Sequence, residues 1–250
     1  MYRKRRFRLV SKLGFHFRRA IKISAGLFNR LIRIGVFSFD MCSTFWQREP
    51  FIYADGDFVR NSSLELVARE INEHSLAGSV AELGVFRGDY AKLINLAFPN
   101  RKLYLFDTFD GFDDRDESLD KQQGFILDID DFSDTSVNLV LKKMRYPDNC
   151  IVKKGYFPET AHDLKEKFVF VSIDCDLKKP ILAGLEYFWK HLEKGGYIFV
   201  HDYQTPCYSG VKAAVKEFCG QNNIPYFLMS DSCGSVCLSK PLGNVTILEL

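Results

Sequence analysis

The chain has 250 residues, of which 46% are hydrophobic and 14% aromatic, enough for one sizeable core and incompatible with a disordered chain. Its 34 Lys and Arg nearly balance 32 Asp and Glu, for a formal net charge of +2. The balance is uneven: residues 1–35 carry eleven bases, no acid precedes Asp40, and 23 bases face 32 acids in the remainder. The sequence therefore reads as a basic arm, residues 1–39, ahead of an acidic globular body, residues 40–250. No run of about 18 apolar residues exists, which excludes a spanning helix, and Arg18, Arg19 and Lys22 interrupt any secretory apolar stretch. Seven cysteines without CxxC spacing read as reduced thiols of a cytoplasmic protein rather than as disulfides or a zinc cradle.

Within the arm, Leu9, Leu13, Phe17, Ile21 and Leu31 recur at helical spacing opposite Arg8, Lys12, Arg19, Lys22 and Arg30, the pattern of a basic amphipathic helix. Two readings stand. One is adsorption through residues 1–35 to an anionic surface, which places the protein at the inner face of a membrane. The other is packing on its own domain or on a partner subunit; a cleaved presequence shares the same composition. Oligomeric state is open, a homo-oligomer included. The acidic body argues against nucleic acid as a partner.

Residues 40–60 read as a connecting loop, and Ser62-Ser63-Leu64-Glu65 as a capping box opening a helix that runs to about Ser75. From Ser79 onward, apolar runs at 79–83, 102–106, 150–153, 168–174, 197–200, 224–229 and 235–238 alternate with helical stretches near 89–98, 135–145, 180–192 and 209–220. This alternation predicts an α/β fold: a seven-stranded, mostly parallel sheet with helices on both faces, closed by a C-terminal antiparallel hairpin.

The chemistry-bearing residues fall at the ends of these strands. Glu82, Gly84 and Gly88 stand in the turn after the first strand, where glycines admit a ligand to the backbone and a helix start offers free N–H groups. Their E-x-G-x-x-x-G spacing differs from the dinucleotide pattern, and Asp107 at the tip of the second strand is placed to accept ribose hydroxyls. A nucleoside cofactor without a pyrophosphate fits better than a dinucleotide. Asp174, His201 and Asp202 end the fourth and fifth predicted strands and make a plausible divalent-metal set.

The runs ELGVFRGDY (82–90), LYLFDTFDGF (103–112), GYFPET (155–160), VSIDCDL (171–177) and GGYIFVHDY (195–203) resemble, in order and spacing, the macrocin O-methyltransferase (TylF-type) family. The resemblance covers about residues 60–220. It implies a Rossmann-like class I fold and methyl transfer from S-adenosyl-L-methionine to a sugar hydroxyl with Mg2+. It places Glu82, Gly84 and Gly88 at the methionine end of the cofactor, Asp107 at the ribose, and Phe109, Gly155 and Tyr156 near the adenine. Asp174 and Asp202 match the metal-binding carboxylates. His201 departs from the family, where many members carry a second Asp, and an imidazole there moves preference toward Mn2+ or another transition metal. Lys178, in Asp176-Leu177-Lys178, also departs, since relatives carry Tyr after the Leu.

A sugar hydroxyl is a poor nucleophile, so cation assistance and a nearby proton acceptor are the chemistry such a site must supply. Asp174, His201 and Asp202 are the residues expected to divide those roles. The expected acceptor is a glycosylated small molecule, a nucleotide sugar or a surface glycan, bound by loops 40–60, 108–134 and 203–209. The alternatives are a metal-independent methyltransferase acting on a phenolic or lipid hydroxyl, and a non-catalytic membrane-surface or assembly subunit that keeps the fold.

Overall fold

The computed structural model describes residues 51–52, 56–126 and 132–243; the expectations for the basic arm and its boundary lie outside the described residues. Seven strands form one sheet, with β1 at Ser79–Leu83, β2 at Leu103–Asp107, β3 at Cys150–Lys154, β4 at Phe168–Ile173, β5 at Leu192–Val200, β6 at Phe227–Leu228 and β7 at Val236–Ser239. Their order is β3-β2-β1-β4-β5-β7-β6. The first five run parallel, while β7 is antiparallel to both β5 and β6. Every residue of β1 and β4 is buried, as central parallel strands covered on both faces require.

Helices α1 (Phe58–Glu73), α2 (Ala91–Ala97), α3 (Asp114–Gln123), α4 (Val137–Lys143), α5 (Lys178–His191) and α6 (Ser209–Asn222) connect and cover the strands. Two apolar clusters form the core. One joins Phe106, Phe168 and Ile173 to Leu185 and Phe188 of α5 and to Val211 and Val215 of α6. The other joins Val80, Leu105 and Phe170 to Leu64 and Ala68 of α1, Ile94 of α2 and Val140 of α4. Gly184 lets α5 lie close on the sheet, since a Cβ there would stand 2.7 Å from Leu83 Cδ2. No helix among the described residues is long and apolar enough to cross a membrane.

The strand and helix pattern read from the sequence is present, with three corrections. Helix α1 begins a turn before the expected capping box. Its N-cap is Asp57, whose side chain accepts the N–H groups of Val59 and Arg60 at 2.9 and 3.1 Å. Glu65 instead turns out to accept the N–H groups of Phe51 and Ile52, so residues 58–60 of the expected loop are helical. The second correction is α3, which lies inside the segment expected to be loop. It has no apolar stripe, but its signals are polar: an Asp113 cap on the Arg115 N–H, Asp114, Asp116 and Glu117 in the first turn, Lys121 in the last, and Gly124 in the left-handed conformation just after it. The third is β5, which starts at Leu192, directly after α5, rather than at Tyr197.

Helix α5 has no side-chain cap of its own; Asp120 of α3 accepts the Lys178 N–H at 2.8 Å and closes its N-terminus. Asp57→Ala is expected to lose about 1–2 kcal/mol in urea denaturation, because it removes the α1 cap and the tie to Ser232 N–H. Ser62→Ala, at the position expected to cap, is expected to stay within about 0.5 kcal/mol of the unaltered protein.

Candidate active site

The strand order reverses between β1 and β4, and at such a point the loops after the two strands diverge and leave a crevice at their carboxyl ends. A cavity of about 560 Å³ lies there, walled by the ends of β1, β2, β4 and β5 and by Arg60 of α1, a size that suits a small-molecule ligand. Glu82, Gly84, Asp107, Gly155, Tyr156, Asp174, His201 and Asp202 all line it. The fold thus gathers side chains from four strands and the turn after a fifth.

Gly88 and Phe109 are placed otherwise. Phe109 is 5% exposed in the core. Gly88 sits against α4, where a Cβ would come 2.9 Å from Val140 Cγ1. The aromatic wall is built instead by Phe86, Phe112 and Phe132, with ring centroids 5.1 Å apart for Phe86 and Phe132 and 5.0 Å for Phe112 and Phe132. Gly84 has φ +84°, and a Cβ there would lie 2.0 Å from the Asp174 carbonyl oxygen. The turns after β1 and β4 therefore touch only because this residue is glycine. Among the described residues, Phe86, Phe109, Asp176 and Asp202 also have positive φ, and all four follow strand ends at the crevice, where strained backbone tends to gather.

Asp107 organises the loop after β1. Its Oδ2 accepts the N–H groups of Val85 and Phe86 at 2.6 and 2.9 Å, and its Oδ1 that of Phe109 at 2.6 Å. The Thr108 hydroxyl donates a longer bond to Oδ1 at 3.4 Å, the weakest of the four and the one that a ligand hydroxyl can replace.

The remaining carboxylates are crowded. Asp174 receives Arg60 Nη2 at 2.9 Å on Oδ2, and its Oδ1 lies 3.1 Å from His201 Nδ1. His201 Nδ1 also lies 2.5 Å from Asp202 Oδ2, and Thr205 Oγ1 donates to Asp202 Oδ1. Asp176, which the sequence reading left without a role, joins Asp174 and Asp202: each presents a carboxylate oxygen within 4.8 Å of the others. Burial alone would raise Asp174, but Arg60 and His201 hold it well below the usual carboxylate range. Burial, then Asp174 and Asp202, push Asp176 well above that range. Burial works against a charge on His201, yet Asp174 and Asp202 push it up to about 10.

Arg60 is the residue that sequence reasoning missed. It lies in a stretch expected to be loop, and only its place one turn into α1 carries it to the β4 end, where it also reaches Ser172 Oγ at 3.3 Å. Its guanidinium lies 3.8 Å from the centre of the Tyr90 ring. Beside it, Glu82 Oε2 and the Tyr90 hydroxyl are buried without a hydrogen-bond partner. Burial pushes Glu82 well above the usual range, with Arg60 opposing. A buried anion-former, a cation and a free hydroxyl side by side match a zwitterion, whose ammonium and carboxylate would satisfy them together.

This strand order, with ligand groups at the carboxyl ends of β1, β2, β4 and β5, defines a class I S-adenosylmethionine-dependent methyltransferase fold. Residues 57–235 match the family described as Macrocin-O-methyltransferase (TylF), and the chain belongs to that family of O-methyltransferases. Its fold is similar to that of the O-methyltransferase NovP, at 19% identity over 73% of this chain and 80% of that one, with a TM-score of 0.61. It is also similar to the calicheamicin methyltransferase CalS11, at 18% identity over 74% and 79% of the two chains, with a TM-score of 0.57. No curated protein sequence matches.

The raised pKa of His201 makes a stability prediction with a definite sign. Because the folded value lies above the ordinary 6.5, the charged His201 stabilises the fold fully below pH 6.5, and that contribution is lost as pH rises through about 10. In protein treated with chelator, the melting-temperature gap between the unaltered chain and His201→Gln is expected to be widest below pH 6.5 and to close toward pH 10. A gap that widens with pH would contradict the ion pairing.

Proposed function

We propose that the protein methylates a hydroxyl of a sugar, carried on a nucleotide, a glycosylated small molecule or a glycan, with a divalent cation held by Asp174, Asp176 and Asp202. The observation that carries this reading is the convergence of those three carboxylates beside the cofactor-binding turn of β1, in a chain of this family. CalS11 is a TDP-rhamnose 3'-O-methyltransferase, which supports a sugar acceptor, and the aromatic wall of Phe86, Phe112 and Phe132 offers faces on which a sugar or its aglycone can pack.

The residues suit both the cofactor and the cation. Glu82 Oε2 and the Tyr90 hydroxyl are buried without partners, as the ammonium and carboxylate of S-adenosylmethionine would require. Three hard oxygens, one of them pushed up by burial and then by the other two, suit Mg2+ or Mn2+. S-adenosylmethionine supplies an electrophilic methyl on a sulfonium. A divalent cation supplies Lewis acidity that eases deprotonation of an acceptor hydroxyl.

The chain's own residues do the rest. Glu82, Arg60 and Tyr90 hold the amino-acid end of the cofactor, Asp107 its ribose, and the turn at Gly155 and Tyr156 its adenine. Asp174 is kept charged by Arg60; His201, held between Asp174 and Asp202 and itself charged, must first release a proton before its imidazole can take up the acceptor's. The aromatic wall excludes water and aligns the acceptor, which is the larger part of an in-line transfer. One observation favours a second reading, transfer without a cation: Arg60 and His201 already satisfy both oxygens of Asp174.

Incubation of the protein with S-adenosylmethionine and a panel of nucleotide sugars and glycosides, followed by mass spectrometry, tests the reading. A sugar gaining one methyl is expected, with the gain lost on chelation and restored by Mg2+ or Mn2+. Turnover indifferent to chelation would select the second reading, and methylation of phenolic or lipid hydroxyls alone would overturn the sugar assignment. Glu82→Gln is expected to weaken calorimetric binding of S-adenosylhomocysteine about tenfold or more, from loss of a charged hydrogen bond, without lowering the melting temperature.

A further inference from the structure

A second set of metal-ligating side chains converges beside the carboxylate triad. His201 and Asp202, after β5, and Cys233, in the turn between β6 and β7, each offer a ligand atom within 4.8 Å of the other two. The whole of α6 and β6 separates Cys233 from Asp202 in the chain, so no sequence spacing announces the set. Its chemistry differs from that of the triad: nitrogen, oxygen and sulfur rather than three oxygens.

The turn that carries Cys233 is fixed in place. Asp231, 8% exposed, accepts the Ser235 N–H at 2.6 Å and the Ser235 hydroxyl, and its carbonyl accepts the Gly234 N–H at 3.2 Å. Ser232 N–H donates to Asp57 Oδ2 at the start of α1. Most directly, the Cys233 carbonyl accepts the Gln204 N–H at 3.1 Å, which ties this turn to the segment that leaves His201 and Asp202. Gly234, at φ +62°, permits that approach, since a Cβ there would lie 2.7 Å from Gln204 Cβ. The other two ligands are also oriented. His201 Nδ1 faces the carboxylates of Asp174 and Asp202, which leaves Nε2 as the other ring nitrogen, and Thr205 holds Asp202 Oδ1. Carboxylate support of one imidazole nitrogen is the usual companion of metal ligation by the other.

We propose that His201, Asp202 and Cys233 form a binding site for Zn2+ or a similar borderline first-row cation, with three protein ligands and a fourth position open to the cleft. Imidazole, carboxylate and thiolate are zinc ligands, whereas Mg2+ takes oxygen. On binding, the Cys233 thiol and the Nε2–H of the charged His201 imidazolium each release a proton to solvent, and no electron changes hands. Asp202 belongs to both ligand sets, so a zinc-class ion here draws on a carboxylate that a magnesium-class ion at the triad also needs, and the two compete. The site stands apart from the methyl-transfer reading, because its test observes the ligands of the ion and not turnover.

The test is a Co2+ titration of the full chain after chelation and desalting, followed by absorption, with Zn2+ then added to compete. Tetrahedral ligand-field bands and a thiolate-to-cobalt charge-transfer band are expected, both removed by Zn2+. Cys233→Ser is expected to abolish the charge-transfer band while Cys175→Ser and Cys207→Ser keep it. His201→Gln is expected to weaken Zn2+ binding about tenfold or more in competition with a chromophoric chelator. Absence of the band in the unaltered chain, or its persistence in Cys233→Ser, would overturn the proposal. Melting curves in chelator check that each variant is folded, and Cys233→Ala is a second variant that must lose the band as well.

Discussion

Parallel strands deliver their carboxyl ends to one side of a sheet, and in this protein that side collects Glu82, Asp107, Asp174, Asp176 and Asp202. Such crowding in a buried crevice is unfavourable unless countercharge is built in. Arg60 supplies it from α1, buried to 9% exposure, with its guanidinium on Asp174 and its face on the Tyr90 ring. His201 supplies the rest from the end of β5. Neither cation reaches every acid, and the acids left over, Glu82 and Asp176, are those that burial drives toward protonation. The protein therefore compensates the site only in part, and the uncompensated acids suit the positively charged groups of the proposed ligands.

The same constraint explains the helices around the crevice. Helix α1 must begin at Asp57 for Arg60 to stand one turn in, on the face that meets β4, and Glu65 must leave the helix start to tie down Phe51 and Ile52. Helix α3 closes the opposite wall through acids rather than through apolar contacts. Asp116 accepts both the Tyr156 hydroxyl at 3.0 Å and Lys179 Nζ at 2.8 Å, and Asp120 caps α5. Ion pairs and capping bonds hold this wall where a hydrophobic stripe would hold an ordinary surface helix. Lys178, which departs from the family pattern, gives its N–H to Asp120 of this wall and pairs with Glu217 of α6, while its neighbour Lys179 pairs with Asp116.

Much of this was legible in the sequence. Short apolar runs and helical stretches in alternation specify a parallel sheet, because period and length belong to the local chain, and strands β1 to β4 fall within a residue or so of where the pattern places them. The carboxylates at the strand ends, with Gly84 between them, identify a ligand crevice for the same reason. The polar helix α3 escaped a reading built on apolar period, although its caps were present in the sequence. The acid assigned as a helix cap, Glu65, was claimed by a distant backbone, a competition that local propensity does not contain.

What the sequence determined by itself was the class of fold, the order of its elements and the row of acids at one edge of the sheet, all properties of patterns that repeat over a few residues. Only the tertiary structure decided the partners. It brought Arg60 to Asp174 across more than a hundred residues, added Asp176 to the carboxylates of Asp174 and Asp202, buried Phe109 away from the wall, and carried Cys233 to His201 and Asp202. Charge pairing and ligand convergence depend on distance in space, and distance in space is set by how the strands are ordered and how closely their turns approach, which no local pattern encodes.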